Sequence, residues 1–237
     1  MIGGIFTFIP ALALVIGGAM GTFYQPSRRI ISSTQHLAAG VVFAAVAKEL
    51  LPKLGADNHP LALVIGFSLG VLLMLYLKKL TKALESKGKP GADISLGLVG
   101  AVGIDVFIDG VLIGIAFLAG TQGGILIAVA LAIEVLFLGL STTATLGKRG
   151  VGLTTKLAIA GALALLIPLG STLGALILSH LSNIYLDAFL AFGVAALLYL
   201  VTEELLVEAH ESPTETPWVT SCFFWGFLLI LLIDGLS

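Results

Sequence analysis

The stretch "GIDVFIDGVLIG", residues 103–114, places Asp105 and Asp109 in a segment that otherwise consists of Val, Ile, Leu, Phe and Gly. A carboxylate at the centre of a membrane-spanning helix costs roughly 2.5–3.5 kcal/mol, so two of them need a compensating partner. Their spacing of four residues puts both side chains on one helical face, about one turn apart. The stretch therefore predicts a polar site inside an apolar helix.

The composition of the whole chain is typical of a membrane protein. Of its 237 residues, 58% are hydrophobic and only 11% are charged, a larger apolar share than soluble domains have. Such a chain is best divided into spans of about 20 residues. We predict an all-α integral membrane protein, one transmembrane domain over residues 1–237. Its eight helices are expected near 2–22, 33–52, 60–80, 92–119, 123–146, 154–179, 185–208 and 217–236. The first is expected to be a membrane helix rather than a signal peptide, because it lacks a positive leading region.

The basic residues predict the orientation of the chain in the membrane. Most of the 12 lie after helices one, three and five, whereas Lys48 and Lys53 lie at the other end of helix two. Because cytoplasmic loops are enriched in Lys and Arg, the first face is expected to be cytoplasmic. Both termini then lie outside the cytoplasm, and residues 81–91 form the main cytoplasmic loop. Short loops and the lack of a targeting segment favour the cell membrane, as an inner membrane, of a bacterium or archaeon.

Two pairs of segments resemble each other within the chain. "AAGVVFAAVAKELLPKLGA" in helix two and "AFGVAALLYLVTEELLVEAHE" in helix seven both have a glycine followed by Glu-Leu-Leu. In helices four and five, Asp105 and Glu134 each precede a glycine, Gly110 or Gly139, by five residues. Opposite insertion of such pairs gives the inverted repeats of many secondary transporters. Chance matching among Leu-, Val- and Gly-rich helices is the alternative.

A third intramembrane carboxylate, Glu134, lies near the midpoint of helix five, where it can reach the depth of Asp105 and Asp109. Since no Lys or Arg lies in the middle of any span, neutralisation by an ion pair is not expected. A bound cation, a shared proton and hydrogen bonds between protonated acids are the alternatives. Carboxylates are hard ligands that suit Mn²⁺, Fe²⁺, Mg²⁺ and Ca²⁺ and also serve Zn²⁺. We predict Asp105, Asp109 and Glu134 to be metal ligands.

Other polar residues are candidates for a pathway to and from this site. Ser141 and Thr142, followed by Thr145, form a hydroxyl stripe toward the cytoplasmic end, which either lines an exit or bonds back to its own helix. The remaining candidates are residues near helix ends: His36, Glu49, Glu203 and Glu204. His36 and Glu49 are expected to be interfacial, with a ligand role for His36 and an access role for Glu49 as alternatives. Glu203 or Glu204 would act as an exit ligand or proton carrier if it faced the bundle. His59 and His180 are expected at the surface.

These segments resemble the ZIP family of metal transporters. "DVFIDGVLIG" is similar to the family's fourth-helix signature, His-Asn-Phe-x-Asp-Gly, with Asp105 in place of His and Val106 in place of Asn. "IEVLFLGLS" is similar to the fifth-helix pattern His-Glu-x-Pro-Glu-Gly, with Glu134 at the first ligand position. Val135 takes the second position, and Leu138 replaces the last carboxylate.

Helices two, six and seven resemble the family more weakly, and Ile167 stands where many members carry Glu. The resemblance implies a ZIP-like bundle, a homodimer, and a midplane site of one or two metals, with one helical bundle moving past another. Val106, Val135 and Ile167 remove ligands of a second metal, so one site is expected. Because the remaining ligands include no imidazole, harder ions such as Mn²⁺ and Fe²⁺ become plausible beside the family's usual Zn²⁺. Cd²⁺ is a further candidate.

The predicted function is transport of a divalent metal toward the cytoplasm, with the metal as substrate and no resident cofactor. Three ionised carboxylates exceed the charge of a divalent ion, so protons are expected to compete with metal. A non-transporting membrane scaffold or sensor, and a proton-coupled transporter of another solute, are the alternatives. The sequence has no HExxH, GxSxG or P-loop motif of an enzyme. A net charge of −2, with basic residues explained by topology, gives no indication of nucleic-acid binding.

Overall fold

The computed structural model describes residues 5–24, 26–54, 59–86, 96–178, 183–210 and 216–235. These residues form eight main helices and no β-strand. They are α1 (Phe8–Phe23), α2 (Arg28–Ala45), α3 (Pro60–Ser86), α4 (Leu96–Ala119), α5 (Thr121–Lys148), α6 (Leu153–Leu178), α7 (Asn183–Tyr199) and α8 (Pro217–Gly235). Six helical spans, those built on α2 to α7, are long and apolar enough to cross a membrane, and α1 and α8 are shorter apolar helices. The chain is a multi-pass, all-α membrane protein; eight crossings stay a prediction.

Two helix boundaries differ from the predicted ones. Helix α2 begins at Arg28 rather than near 33, because the Ser27 hydroxyl accepts the Ile30 N–H at 3.3 Å and caps the helix. Helix α3 continues to Ser86, so the first part of the predicted loop 81–91 is helical. Lys, Ala, Leu and Glu in this stretch are good helix formers despite their mixed polarity. Residues 87–91, with Lys87 and Lys89, lie outside the described residues.

Helices α2 and α7 both continue into a π-helical segment. In α2 this segment is Val46–Leu50, followed by a short 3₁₀ turn at Leu51–Lys53. In α7 it is Leu200–Leu205, followed by the helical turn Leu206–His210. Both π segments contain the start of the Glu-Leu-Leu sequence by which the two helices resemble each other. The two helices thus share the same irregularity, and the inverted repeats stay a prediction. Segments of π-helix occur frequently at functional sites.

Four helices, α1, α4, α5 and α6, pack tightly through glycines and form what we name the first group. A Cβ atom built on Gly17 of α1 would lie 1.8 Å from the carbonyl oxygen of Leu136 in α5. One built on Gly110 of α4 would lie 2.3 Å from the carbonyl oxygen of Ile167 in α6. Small residues allow membrane helices to approach this closely. The glycine after Asp109 therefore packs α4 against α6.

The other four helices, α2, α3, α7 and α8, form the second group in the same way. A Cβ atom on Gly40 of α2 would lie 1.9 Å from the Phe223 carbonyl oxygen of α8, and one on Gly66 of α3 would lie 2.0 Å from that of Ala188 in α7. Each group thus contains two helix pairs in backbone contact.

The boundary between the two groups is packed differently. Helix α5 meets α2 there, and α4 meets α3 and α7. Its described glycines contact side chains: Gly193 faces the Ile115 side chain at 3.2 Å, and Gly123 faces the Glu49 carboxylate at 3.2 Å, both measured from a built Cβ. At the glycines that the structure describes, close backbone contacts connect only helices of one group.

Candidate metal centre

A tight helical hairpin positions the three intramembrane carboxylates. Helices α4 and α5 are joined by Gly120 alone, at φ 147° and ψ 152°, a conformation that only glycine adopts readily. At about 1.5 Å per residue, Asp109 and Glu134 lie roughly 16 and 21 Å from this turn, and Asp105 roughly 22 Å from it. The turn therefore sets the register that brings Glu134 between the depths of the two aspartates.

The structure brings these three side chains together. Asp105, Asp109 and Glu134 each offer a carboxylate oxygen, and the three oxygens lie within 4.8 Å of one another. Asp109 is 2% exposed and Glu134 is 6% exposed, whereas Asp105 is half-buried. Asp109 Oδ2 and Glu134 Oε2 are buried without a hydrogen-bond partner. Buried polar atoms normally have a hydrogen-bond partner, so a bound cation or a proton would supply the partner that these two oxygens lack.

Lys78 lies closer to this site than the sequence indicates. It lines a cavity of about 320 Å³ together with Asp105 and Glu204. Its Nζ is 2.8 Å from the Glu203 carboxylate and 5.6 Å from the centre of the Tyr199 ring. The described ion pairs do not connect it to the three clustered carboxylates. Met74 and Lys78 both line the cavity. Their i, i+4 spacing places them on one face of α3, so the sequence could have indicated that Lys78 faces the same way as the apolar Met74.

A smaller cavity of about 70 Å³ adjoins the cluster directly. Its polar lining includes Asp105, Glu134, Glu204 and Glu208. This volume holds several water molecules or a partly hydrated ion. The larger cavity lies where α3 ends and α4 begins, and the smaller one lies beside the first part of α2 and the second half of α5. The extension of α7 lines both, so the cluster is reached from that side.

Toward the Gly120 turn, the side chains beyond the cluster are apolar and tightly buried. Leu112 and Ile113 of α4 and Ile127 and Leu131 of α5 are 0–2% exposed. Such a layer excludes a hydrated ion, because the ion would lose its water without gaining ligands. Among the described residues, these apolar side chains close this side of the cluster.

The predicted exit residues differ in position. Glu204 lines both cavities, whereas Glu203 is exposed and paired with Lys78. Ser141 lines the small cavity, and its hydroxyl donates to the Leu138 carbonyl at 3.1 Å. Thr142 is buried and donates to the same carbonyl at 2.7 Å. The hydroxyl stripe was expected either to line an exit or to bond back to its own helix. Thr142 bonds back to its own helix.

His36 and Glu49, which were expected at the membrane interface, are both buried among neighbouring helices. His36 is 1% exposed, because α2 begins early enough to place it more than two turns inside the helix. Glu49 is 8% exposed, and its carboxylate lies 3.5 Å from Lys53 Nζ. Glu49 also packs against Gly123 in the first turn of α5, where a negative charge is favourable.

A buried acidic residue outside the site escaped the sequence analysis. Asp187 of α7 is 5% exposed, and its Oδ2 is 3.0 Å from His59 Nδ1 at the start of α3. His59 is therefore paired rather than simply at the surface. Asp187 lies only a short way along the sequence from the apolar part of α7, and this could have indicated that it is buried. His180 lies outside the described residues.

The positions where ligands of a second metal were expected to be missing are packed into the core. Val106, Val135 and Ile167 are all 0% exposed, and Leu138 lines both cavities. Within the described ranges, Asp105, Asp109 and Glu134 form the one group of three or more metal-ligating side chains. The departures from the family pattern thus leave apolar surface around a single acidic cluster.

The described residues thus form a multi-pass bundle of membrane helices that holds a carboxylate cluster beside two cavities between its helices. No family model matches the chain. It is 31% identical over 209 residues to a curated protein named zinc transporter GufA, from Myxococcus xanthus, with 83% of this chain and 81% of that protein covered. The chain belongs to the ZIP family, of which that protein is a member, and the resemblance given by helices four and five is confirmed.

Proposed function

We propose that this protein transports divalent metal ions across the membrane toward the cytoplasm, with Asp105, Asp109 and Glu134 as its ligands. The observation that carries the proposal is the cluster itself: three carboxylates within 4.8 Å, two of them with buried, unpaired oxygens. A structural ion pair would have satisfied these oxygens, and Lys78, which lines the larger cavity with Asp105, pairs with Glu203 instead. The name of the relative from Myxococcus xanthus supports metal as the substrate.

The proposed substrates are Zn²⁺, as in the name of that relative, and Mn²⁺, Fe²⁺ and Cd²⁺. The ligands are oxygen atoms only, which favours harder ions than imidazole or thiolate ligands do. Mg²⁺ is not expected, since it sheds its water reluctantly and demands regular octahedral geometry. The small cavity then serves as a place where the ion keeps part of its water.

The position of the larger cavity supports transport toward the cytoplasm. It lies at the end of α3 that carries Lys78 and Lys82, the basic face that we assign to the cytoplasm. Glu204 and Glu208 line the route from the cluster to that face. Both termini then lie outside the cytoplasm of a bacterial or archaeal cell. The conformation is open inward, and sliding of the first group past the second would expose the cluster on the other side. A homodimer is the assembly that the family implies.

Uptake into proteoliposomes tests this function. Purified protein is reconstituted, and Zn²⁺, Mn²⁺, Fe²⁺, Cd²⁺, Co²⁺, Mg²⁺ and Ca²⁺ are offered separately, with protein-free liposomes as the control. We expect uptake of transition metals and none of Mg²⁺. Metal binding without uptake would instead indicate a scaffold or sensor. Folded protein without metal binding would indicate a proton site for another solute.

Replacement of Asp105 by His tests the origin of the metal preference. Asp105 is the half-buried member of the cluster and borders both cavities, so an imidazole can be accommodated there. Because imidazole suits Zn²⁺ better than Mn²⁺, we expect the ratio of Zn²⁺ to Mn²⁺ uptake to rise by about tenfold. Competition between the two ions in the same liposomes measures this ratio. Asp105→Asn is the matched control, and an equal ratio in the two variants would contradict the assignment.

A further inference from the structure

A pair of histidines lies apart from the acidic cluster, between α2 and the turn Leu206–His210. The ring centres of His36 and His210 are 5.0 Å apart. His36 is 1% exposed, whereas His210 is exposed. Neither ring belongs to the lining of the two cavities beside the cluster. The pair therefore joins a buried imidazole to one that solvent reaches.

Each of the two rings makes a hydrogen bond of the same kind, to the backbone carbonyl oxygen four residues earlier. His36 Nδ1 lies 2.9 Å from the Ser32 carbonyl oxygen, and His210 Nδ1 lies 2.5 Å from the Leu206 carbonyl oxygen. A carbonyl oxygen can only accept, so Nδ1 carries a hydrogen in each ring, and in the neutral form of the ring the lone pair belongs to Nε2. Histidines that bind metal typically donate their other ring N–H to a carbonyl or carboxylate in this way, which fixes the tautomer and the ring orientation.

The buried ring presents an atom that the protein leaves unsatisfied. His36 Nε2 is fully buried and has no hydrogen-bond partner. Such an atom destabilises the fold unless something completes it. The Ser32 hydroxyl donates to the Ala209 carbonyl at 2.7 Å, which ties α2 to the turn that carries His210. The two rings are thus fixed to each other by the backbone around them.

We propose that His36 and His210 are two ligands of a second metal site, with water completing the coordination. Imidazole nitrogen suits Zn²⁺, Co²⁺, Ni²⁺ and Cu²⁺ better than Mn²⁺ or Mg²⁺. The ion would first bind to the exposed His210, and the buried His36 would then become its second protein ligand. This site goes beyond the proposed transport function, because it uses none of the three carboxylates. It belongs entirely to the second group and so keeps its geometry if the first group moves.

Zinc binding to a variant without the acidic cluster tests this site. The variant combines Asp105→Asn, Asp109→Asn and Glu134→Gln in the full chain, and equilibrium dialysis in detergent counts the bound Zn²⁺. We expect one bound Zn²⁺, whose affinity falls by more than about tenfold on adding His36→Gln. Adding His59→Gln instead is the matched control, because the partner of His59 is Asp187, away from this pair. No Zn²⁺ on the cluster-free variant, or equal effects of the two histidine changes, would overturn the site.

A second measurement needs no substitution at all. The chain has four histidines, so selective ¹⁵N labelling gives a short list of side-chain signals in wild-type protein. We expect Zn²⁺ to shift the Nε2 signals of His36 and His210 and to leave that of His59 unchanged. Unchanged His36 and His210 signals at saturating Zn²⁺ would overturn the proposal. Neither experiment depends on uptake, so failure of the transport function would not be mistaken for failure of this site.

Discussion

Asp109→Asn is expected to lower metal affinity and metal uptake by about a hundredfold, which corresponds to roughly 3 kcal/mol. The side chain is 2% exposed, and one of its oxygens has no partner within the protein. Asparagine keeps the shape of the side chain but removes the charge that a cation would require. Competition with a fluorescent chelator in detergent measures the affinity, and proteoliposomes measure the uptake.

Asp187→Asn is the matched control for this prediction. Asp187 is also a buried aspartate of a membrane helix, 5% exposed, but it pairs with His59 outside the cluster. We expect the control to retain affinity and uptake close to those of the wild type. Equal losses in both variants would attribute the effect to folding rather than to ligation. Full uptake by folded Asp109→Asn would remove Asp109 from the ligand set.

Gly17→Ala is expected to destabilise the protein by at least about 2 kcal/mol. The added Cβ would lie 1.8 Å from the carbonyl oxygen of Leu136, a backbone atom that cannot rotate away. Helices α1 and α5 would have to separate, and α5 carries Glu134. Thermal unfolding followed by size-exclusion chromatography in detergent measures the loss.

The same substitution at Gly161 is expected to have the opposite sign. Gly161 lies within α6, and a Cβ built there meets nothing within 4 Å. Alanine is the better helix former by about 1 kcal/mol, so the variant should be as stable as the wild type or slightly more stable. A similar loss of stability in both variants would show that helix contact is not the reason.

The acidic cluster could be predicted from the sequence because its geometry is local. Asp105 and Asp109 share a helical face through their spacing alone, and Glu134 lies on the next helix at a comparable distance from the connection. The predicted spans of the long helices likewise followed from apolar length. The start of α2 could have been found too, since Ser27 is a strong N-cap residue in front of a polar first turn.

The partners of His36, Lys78 and Asp187 could not be predicted in the same way. Each depends on a partner far away in the sequence: Ser32 beside His36 bonds to Ala209, and Lys78 bonds to Glu203. Hydropathy assigns a charged residue near a helix end to the interface. It cannot show which helix will cover that residue.

The connection between α4 and α5 consists of Gly120 alone, so the two helices of this hairpin have little freedom to shift relative to each other. The three carboxylates all belong to this hairpin, and glycine contacts fasten its two helices to α6 and α1. The backbone that carries the three carboxylates is therefore expected to move as one unit in a sliding motion of the two groups. Under the proposed function, the choice of ion would then depend on the α4–α5 hairpin, and the admission of the ion on the boundary between the two groups, where the described glycines contact side chains. Each could change in evolution without disturbing the other.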